Sequence, residues 1–272
     1  VPFENDTGNI VRKLARKSLK SEKRRNLMVV IAVALASCLI CFSIVMALST
    51  RQIEKNHVED TYEAVYTKIT EEDVSSLKGL DDFSRVGEYY MLAVEPAEQG
   101  YNASYIYCDE ETMYIARDQM KLLEGRLPQK EDEVVVSRYF LSNYGADAGI
   151  GEKVMLSSES FHGEYTVTGI MEGYKEKEVN GTSILLSKEA LKGWSGYDPA
   201  DYRAYVHFKN EQQMDETELT ARSREIAKEY QLEMPVMNLS YMKFYKQPVN
   251  VSMLALVAGI AVLVIIGGYV VI

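Results

Sequence analysis

Two uninterrupted apolar runs, Leu27–Ser49 and Val251–Ile272, bracket about two hundred residues of mixed polarity. Neither run contains a charged side chain. At about 1.5 Å of rise per residue, a helix of either length crosses the roughly 30 Å hydrocarbon core of a bilayer. The pattern therefore predicts two transmembrane helices, 27–49 and 251–272, that hold a large polar domain, 50–250, on one side of a membrane. A cleaved secretory signal is the competing reading of the first run, since Ala47-Leu48-Ser49 resembles a weak cleavage site. The apolar part of such signals is only about 7–15 residues long, so a retained span is expected.

Within the polar block, strand-like and helix-like patterns alternate. Tyr62–Ile69 and Ser84–Val94 read as strands. Between them Thr70 caps a helix whose first turn carries Glu71, Glu72 and Asp73. Ala103–Cys108 reads as a strand, and Asp109 caps a helix over Glu110–Leu123. Glu133–Ser137 and Ser183–Leu186 are further strands, Val154–Leu156 and Tyr165–Ile170 a hairpin pair, and Lys188–Trp194 a helix. The block closes on strand Tyr202–Phe208, helix Asp215–Tyr230 and strand Met234–Met237. Its two ends thus repeat strand, helix, strand, at 62–94 and 202–237, around an insert of about 100–195. The expected class is α+β. Helical stalks are expected at Arg51–Asp60 and Leu239–Lys246, on either side of the domain.

Charge orients the molecule. Ahead of the first run stand eight basic residues, among them Arg12, Lys13, Arg16 and Lys17, against three acidic ones. Basic flanks remain in the cytoplasm, which places 1–26 inside and 50–250 outside. The remaining 22 basic and 37 acidic residues all fall in the polar block, and so acidic a surface excludes nucleic acid as its partner. Ile10–Lys20 has Ile10 and Leu14 on one helical face, with Val11 and Ser18 nearby. It reads as a helix lying on the inner membrane surface, its basic face toward anionic lipid, or else as a solvated flank. Ala32, Ala36, Ser43 and Ala47 share one face of the first span, where small side chains admit a neighbouring helix. The chain begins at Val1 and has no basic flank after Ile272, so a piece of a longer protein is expected, cut at the inner end of the second span.

Chemistry-bearing motifs are missing from the sequence. It holds no phosphate-binding loop, no GxSxG elbow and no HExxH. His57, His162 and His207 lack the spacing of metal ligands, and the one cysteine of the polar block, Cys108, has no partner there for a disulfide. Tyr101, Tyr105 and Tyr107 share a strand face, which suits a packed sheet or an aromatic binding surface.

Four stretches together carry a family likeness: Leu122-Leu123-Glu124-Gly125-Arg126-Leu127-Pro128, Glu133-Val134-Val135-Val136-Ser137, Ile150-Gly151-Glu152-Lys153-Val154-Met155-Leu156 and Tyr165-Thr166-Val167-Thr168-Gly169-Ile170. In this order, between two spans and behind the basic leader VRKLARKSLK, they resemble the extracytoplasmic core domain of FtsX/MacB-type ABC transporter permeases. Elementary chemistry assigns these positions to the fold: Gly125 to a positive-φ turn, Pro128 to its stiff exit, Gly151 and Gly169 to turns or bulges, and Arg126 to loop carbonyls or a carboxylate. The resemblance implies porter-like halves with an inserted subdomain, and a dimer of identical or related permeases. It also implies a separate cytoplasmic ATPase that carries the ATP and Mg, so that this chain itself has no cofactor and no catalytic residue. The implied output is export, extraction of lipid or peptide, or activation of a surface partner. A sensory receptor with an outer ligand-binding domain shares the same span–domain–span layout, and a doubly anchored surface enzyme or adhesin is a third possibility.

Overall fold

The computed structural model describes residues 8–21, 23–98, 100–117, 119–144, 148–173, 176, 180–211, 213–243 and 259–260. The chain divides into two compact units. One holds the N-terminal residues to Glu54 and the C-terminal residues from Pro248; the other is Lys55–Gln247.

The leader forms α1 (Gly8–Ser21), and α2 (Lys23–Val58) follows as a helix of 36 residues with neither glycine nor proline. Within α2 the stretch Val33–Ile53, 21 residues of mean hydropathy 2.3, is long and apolar enough to cross a membrane, and none of it is buried. An all-round apolar surface open to its surroundings is the arrangement that lipid satisfies. Of the second apolar run, Gly259 and Ile260 are helical and the remainder lies outside the described residues.

The Lys55–Gln247 unit is an α+β domain built on one mixed sheet. Its strands are β1 (Ala64–Ile69), β2 (Phe83–Pro96), β3 (Asn102–Cys108), β4 (Met120–Gly125), β5 (Glu133–Ser137), β6 (Lys153–Ser157), β7 (His162–Gly173), β8 (Gly181–Leu186), β9 (Tyr202–Phe208) and β10 (Val236–Met237). They run in the order β10-β1-β9-β2-β3-β8-β5-β7-β4, with β6 hydrogen-bonded to β7 off this path. Pairs β3–β8 and β5–β7 are parallel and the other pairs antiparallel. Helices α3 (Glu71–Lys78), α4 (Glu110–Ile115), α5 (Arg138–Asn143), α6 (Lys188–Gly193), α7 (Glu216–Glu229) and α8 (Leu239–Tyr241) complete the domain.

The two terminal strand–helix–strand pieces pair with each other. β1–α3–β2 and β9–α7–β10 interleave as β10-β1-β9-β2, the split β-α-β arrangement of ferredoxin-like folds. The residues between them extend the same sheet from the free edge of β2.

Alternation along the strands explains the two-sided core. Tyr66, Val134, Val136, Ile184, Leu186, Ala204 and Val206 pack on one face, with Val74 and Leu77 of α3 and Leu219 and Ile226 of α7. Val65, Val135, Leu185 and Tyr205 point to the other face, where Met113 and Ile115 of α4 close over them. Strands buried on both faces read as continuous apolar runs rather than alternating ones. Tyr101 and Tyr105 are buried in the first cluster and Tyr107 packs against it, so the tyrosine face of β3 is core and not a binding surface.

Local chemistry sets the helix starts. Thr70 and Asp73 form a capping box for α3, as do Asp215 and Glu218 for α7, while Asp109, Ser137 and Ser187 cap α4, α5 and α6. The helix expected over Glu110–Leu123 is corrected: it ends at Ile115, and Met120–Gly125 is a strand paired antiparallel with β7. Met120 and Leu122 fill the second core face from that strand, and tertiary packing overrides the local helical pattern. α4 lies directly on β2 because Gly87 has no side chain: a Cβ there would stand 2.7 Å from the Thr112 Cα.

Candidate functional site at the entry and exit of the sheet domain

The separated family motifs fold into one corner. Gly125 adopts φ +82, and a Cβ there would meet the Thr168 carbonyl at 2.2 Å. The turn directs Arg126 back onto the buried Glu133, whose two carboxylate oxygens each accept a guanidinium N–H at 2.8 Å. Arg126 also donates to the Leu127 carbonyl, so both partners open to it in the sequence are used. Beyond Pro128, the Gln129 amide donates to the same carboxylate at 2.9 Å. The Arg126 guanidinium, followed by these backbone amides, pulls the Glu133 carboxyl down to about 2. Gly151, at φ +89, donates its amide to Val167. Gly169 lies beside a bulge in the β5–β7 ladder, where a Cβ would stand 2.8 Å from the Arg126 carbonyl. Every one of these contacts ties loops to strands, and none aims a reactive group at open space.

A second cluster sits where the chain enters and leaves the sheet domain. The last residue of α2, Val58, is buried, and the Thr61 hydroxyl donates to its carbonyl at 2.6 Å. Asp60 turns the chain with φ +55, a left-handed conformation that aspartate tolerates better than most residues. The Arg117 guanidinium, from the turn after α4, donates to the carbonyls of Glu59 and Asp60 and so closes the end of the helix. The Tyr62 amide donates to the Ile115 carbonyl at 3.0 Å, and the Tyr62 hydroxyl accepts from Gln119.

Glu63 comes next and is fully buried. Its carboxylate accepts from the Phe208 amide at 2.8 Å and stands 2.8 Å from Nδ1 of His207. Burial pushes the Glu63 carboxyl up, against the pull of His207. Burial opposes charge on His207 as well, but Glu63, helped by Glu211 and Asp60, outweighs it and raises the imidazole above its ordinary 6.5. The exit strand is fastened to the same residues. Asn238 donates its amide to the Glu63 carbonyl at 2.8 Å and its side chain to the Tyr62 carbonyl at 2.9 Å. Its side-chain oxygen caps α8 by accepting from Ser240 and Tyr241. Entry and exit segments are thereby cross-bonded within a single layer of hydrogen bonds. The arrangement transmits position; it holds no nucleophile–base pair.

The other sequence-derived positions fall as follows. Arg12, Lys13, Arg16 and Lys17 lie on α1 and are exposed. Ala32, Ala36, Ser43 and Ala47 all lie on α2; Ser43 is exposed and Ala47 half-exposed, while the side chains of Ala32 and Ala36 are outside the described residues. His162 is exposed and His207 is bound to Glu63. Among the described residues no group of three or more His, Cys, Asp or Glu converges as a metal site.

Residues 27–224 match the family described as the MacB-like periplasmic core domain. The chain belongs to that family. The match runs from the start of the apolar part of α2 into α7 and so takes in the motif corner and the entry side of the junction. Among solved structures, 22 chains match. The extracellular domain of the noncanonic ABC-type transporter YknZ from Gram-positive bacteria is 15% identical, with 65% of this chain and 100% of that chain covered and a TM-score of 0.46. The periplasmic region of MacB from Actinobacillus actinomycetemcomitans is 9% identical, covering 68% of this chain and 92% of that one, at a TM-score of 0.49. A domain of a putative permease from Porphyromonas gingivalis is 16% identical, covering 72% and 96%, at 0.45. No curated protein sequence matches. For a MacB-like core domain, the residues the sequence did not single out are Arg117, Glu63 and Asn238. Glu63 and His207 are 144 positions apart, and no local pattern joins them.

Proposed function

We propose that this chain is the membrane-anchored outer part of an ABC transporter permease, which receives motion from a separate cytoplasmic ATPase and passes it to the sheet domain. ATP and Mg belong to that ATPase, and the permease works as a dimer, with itself or with a related subunit. Membership of the MacB-like family supports the reading. The single observation that carries it is α2: one helix without glycine or proline continues from an apolar, membrane-length stretch to Val58. There it ends in a set of hydrogen bonds that also grips the exit strand. A helix resists bending and compression along its hydrogen-bonded length, so a displacement at one end arrives at the other. In this reading the leader 1–26 stays inside, the domain 50–250 is extracytoplasmic in a bacterial cell membrane, and 251–272 forms a second span. The β1–α3–β2 and β9–α7–β10 pieces correspond to porter-like halves, and the work done outside is export, extraction or activation of a surface partner.

The test is a flexible glycine linker inserted between Gln52 and Glu54 in the permease assembled with its ATPase. ATP hydrolysis is expected to persist while transport or activation is lost. Undiminished output from the linker variant overturns the proposal.

A further inference from the structure

We propose that α1 is a lipid-binding element that seats on an anionic membrane surface beside the span. The helix is unpartnered: Ile10, Val11 and Leu14 are 58, 61 and 63% exposed, which is far from what an amphipathic helix accepts when it packs on protein. Helical spacing puts these three with Ala15 on one half of the cylinder and Arg12, Lys13, Arg16 and Lys17 on the other. The first turn holds no acidic residue that would offset those charges. One residue separates α1 from α2, so the short amphipathic helix adjoins the helix that carries the apolar stretch.

An aqueous protein partner with an acidic groove would satisfy the basic face and leave the apolar half in water. A neutral bilayer would satisfy the apolar half and waste the charge. An anionic leaflet satisfies both, with the apolar half sunk about 5–10 Å into the boundary of headgroups and chains. Each basic residue near such a surface adds roughly a fivefold preference for anionic over neutral lipid. The recognised chemistry is therefore a sheet of lipid phosphates above acyl chains, and the source is the bilayer itself rather than a soluble phosphate. The element would fix the depth and rotation of the adjoining helix at the inner surface.

The inference rests on α2 crossing a bilayer, and the experiment separates the two. The full chain, with Cys38, Cys41 and Cys108 replaced by alanine, is spin-labelled at Leu14→Cys, at Arg12→Cys or, as a control, at Phe42→Cys. It is reconstituted into vesicles of phosphatidylcholine alone or with about one third phosphatidylglycerol, and the accessibility of each label to oxygen and to a water-soluble nickel chelate is compared. The expected result is a lipid-buried label at Leu14, a water-exposed label at Arg12, and a several-fold rise in the buried population at Leu14 when phosphatidylglycerol is present. That rise is expected to disappear when Arg12, Lys13, Arg16 and Lys17 are changed to glutamine. A Phe42 label in lipid with a Leu14 label in water in both vesicles overturns this proposal alone. A Leu14 label immobilised but chelate-accessible, with no dependence on lipid charge, assigns α1 to a protein partner and overturns it too. A Phe42 label in water overturns the spanning reading on which both stand.

Discussion

Single residues decide the motif corner. Gly125 and Gly151 both occupy positive φ, yet a Cβ at Gly125 collides with the Thr168 carbonyl while one at Gly151 meets nothing within 4 Å. Gly125→Ala should therefore cost at least about 2 kcal/mol, from left-handed strain plus the clash, and Gly151→Ala only about 1 kcal/mol, from strain alone. Thermal unfolding of the Lys55–Gln247 unit reads the difference; equal losses would mean that the corner relaxes freely. Glu133 gives a pH signature at the same corner. Its folded value near 2 lies below the ordinary 4.5, so the stability it supplies is complete above pH 4.5 and is lost as pH falls toward 2. Glu133→Gln should lower the unfolding temperature at pH 7 and flatten the acid limb between those limits. An unchanged acid limb would show that Arg126 and the two amides do not hold the carboxylate as described.

At the scale of elements, the connection of α2 to the sheet turns on Arg117. Its guanidinium is the side-chain donor seated on the Glu59 and Asp60 carbonyls. Arg117→Ala should leave β2 and β9 as protected as before while amide hydrogen exchange at Glu59–Glu63 rises by an order of magnitude or so, the loss of about one to two kcal/mol of local hydrogen bonding. Unchanged exchange in that segment would remove Arg117 from the junction. This element also marks where the sequence stops being legible. Caps at Thr70 and Asp109 are written locally, because a hydroxyl or carboxylate three residues ahead of an amide is a short-range bond. Strand Tyr202–Phe208 is read to the residue because its apolar positions serve both core faces. Arg117 sits instead in a stretch whose pattern suits a helix, and only pairing with β7 makes Met120–Gly125 a strand. Glu63, His207 and Asn238 meet through the register of β1, β9 and β10, which one sequence does not encode locally.

For the whole molecule, polarity along the chain and the fold agree. A basic leader precedes an apolar helix, and the acidic remainder forms a domain with its own two-sided core. The motif corner, legible as a set of glycines and one arginine, keeps that domain rigid; the junction, illegible beforehand, is where rigidity becomes useful. The central claim is that α2 carries the sheet domain across a membrane to the outside. Single-cysteine variants labelled in intact cells with a bulky, impermeant maleimide test it most directly. In a background with Cys38, Cys41 and Cys108 replaced by alanine, the exposed Ser76→Cys on α3 should react fully without permeabilisation, and Lys13→Cys on the leader only after the membrane is opened. The reverse pattern, or equal reactivity at both sites, would contradict it.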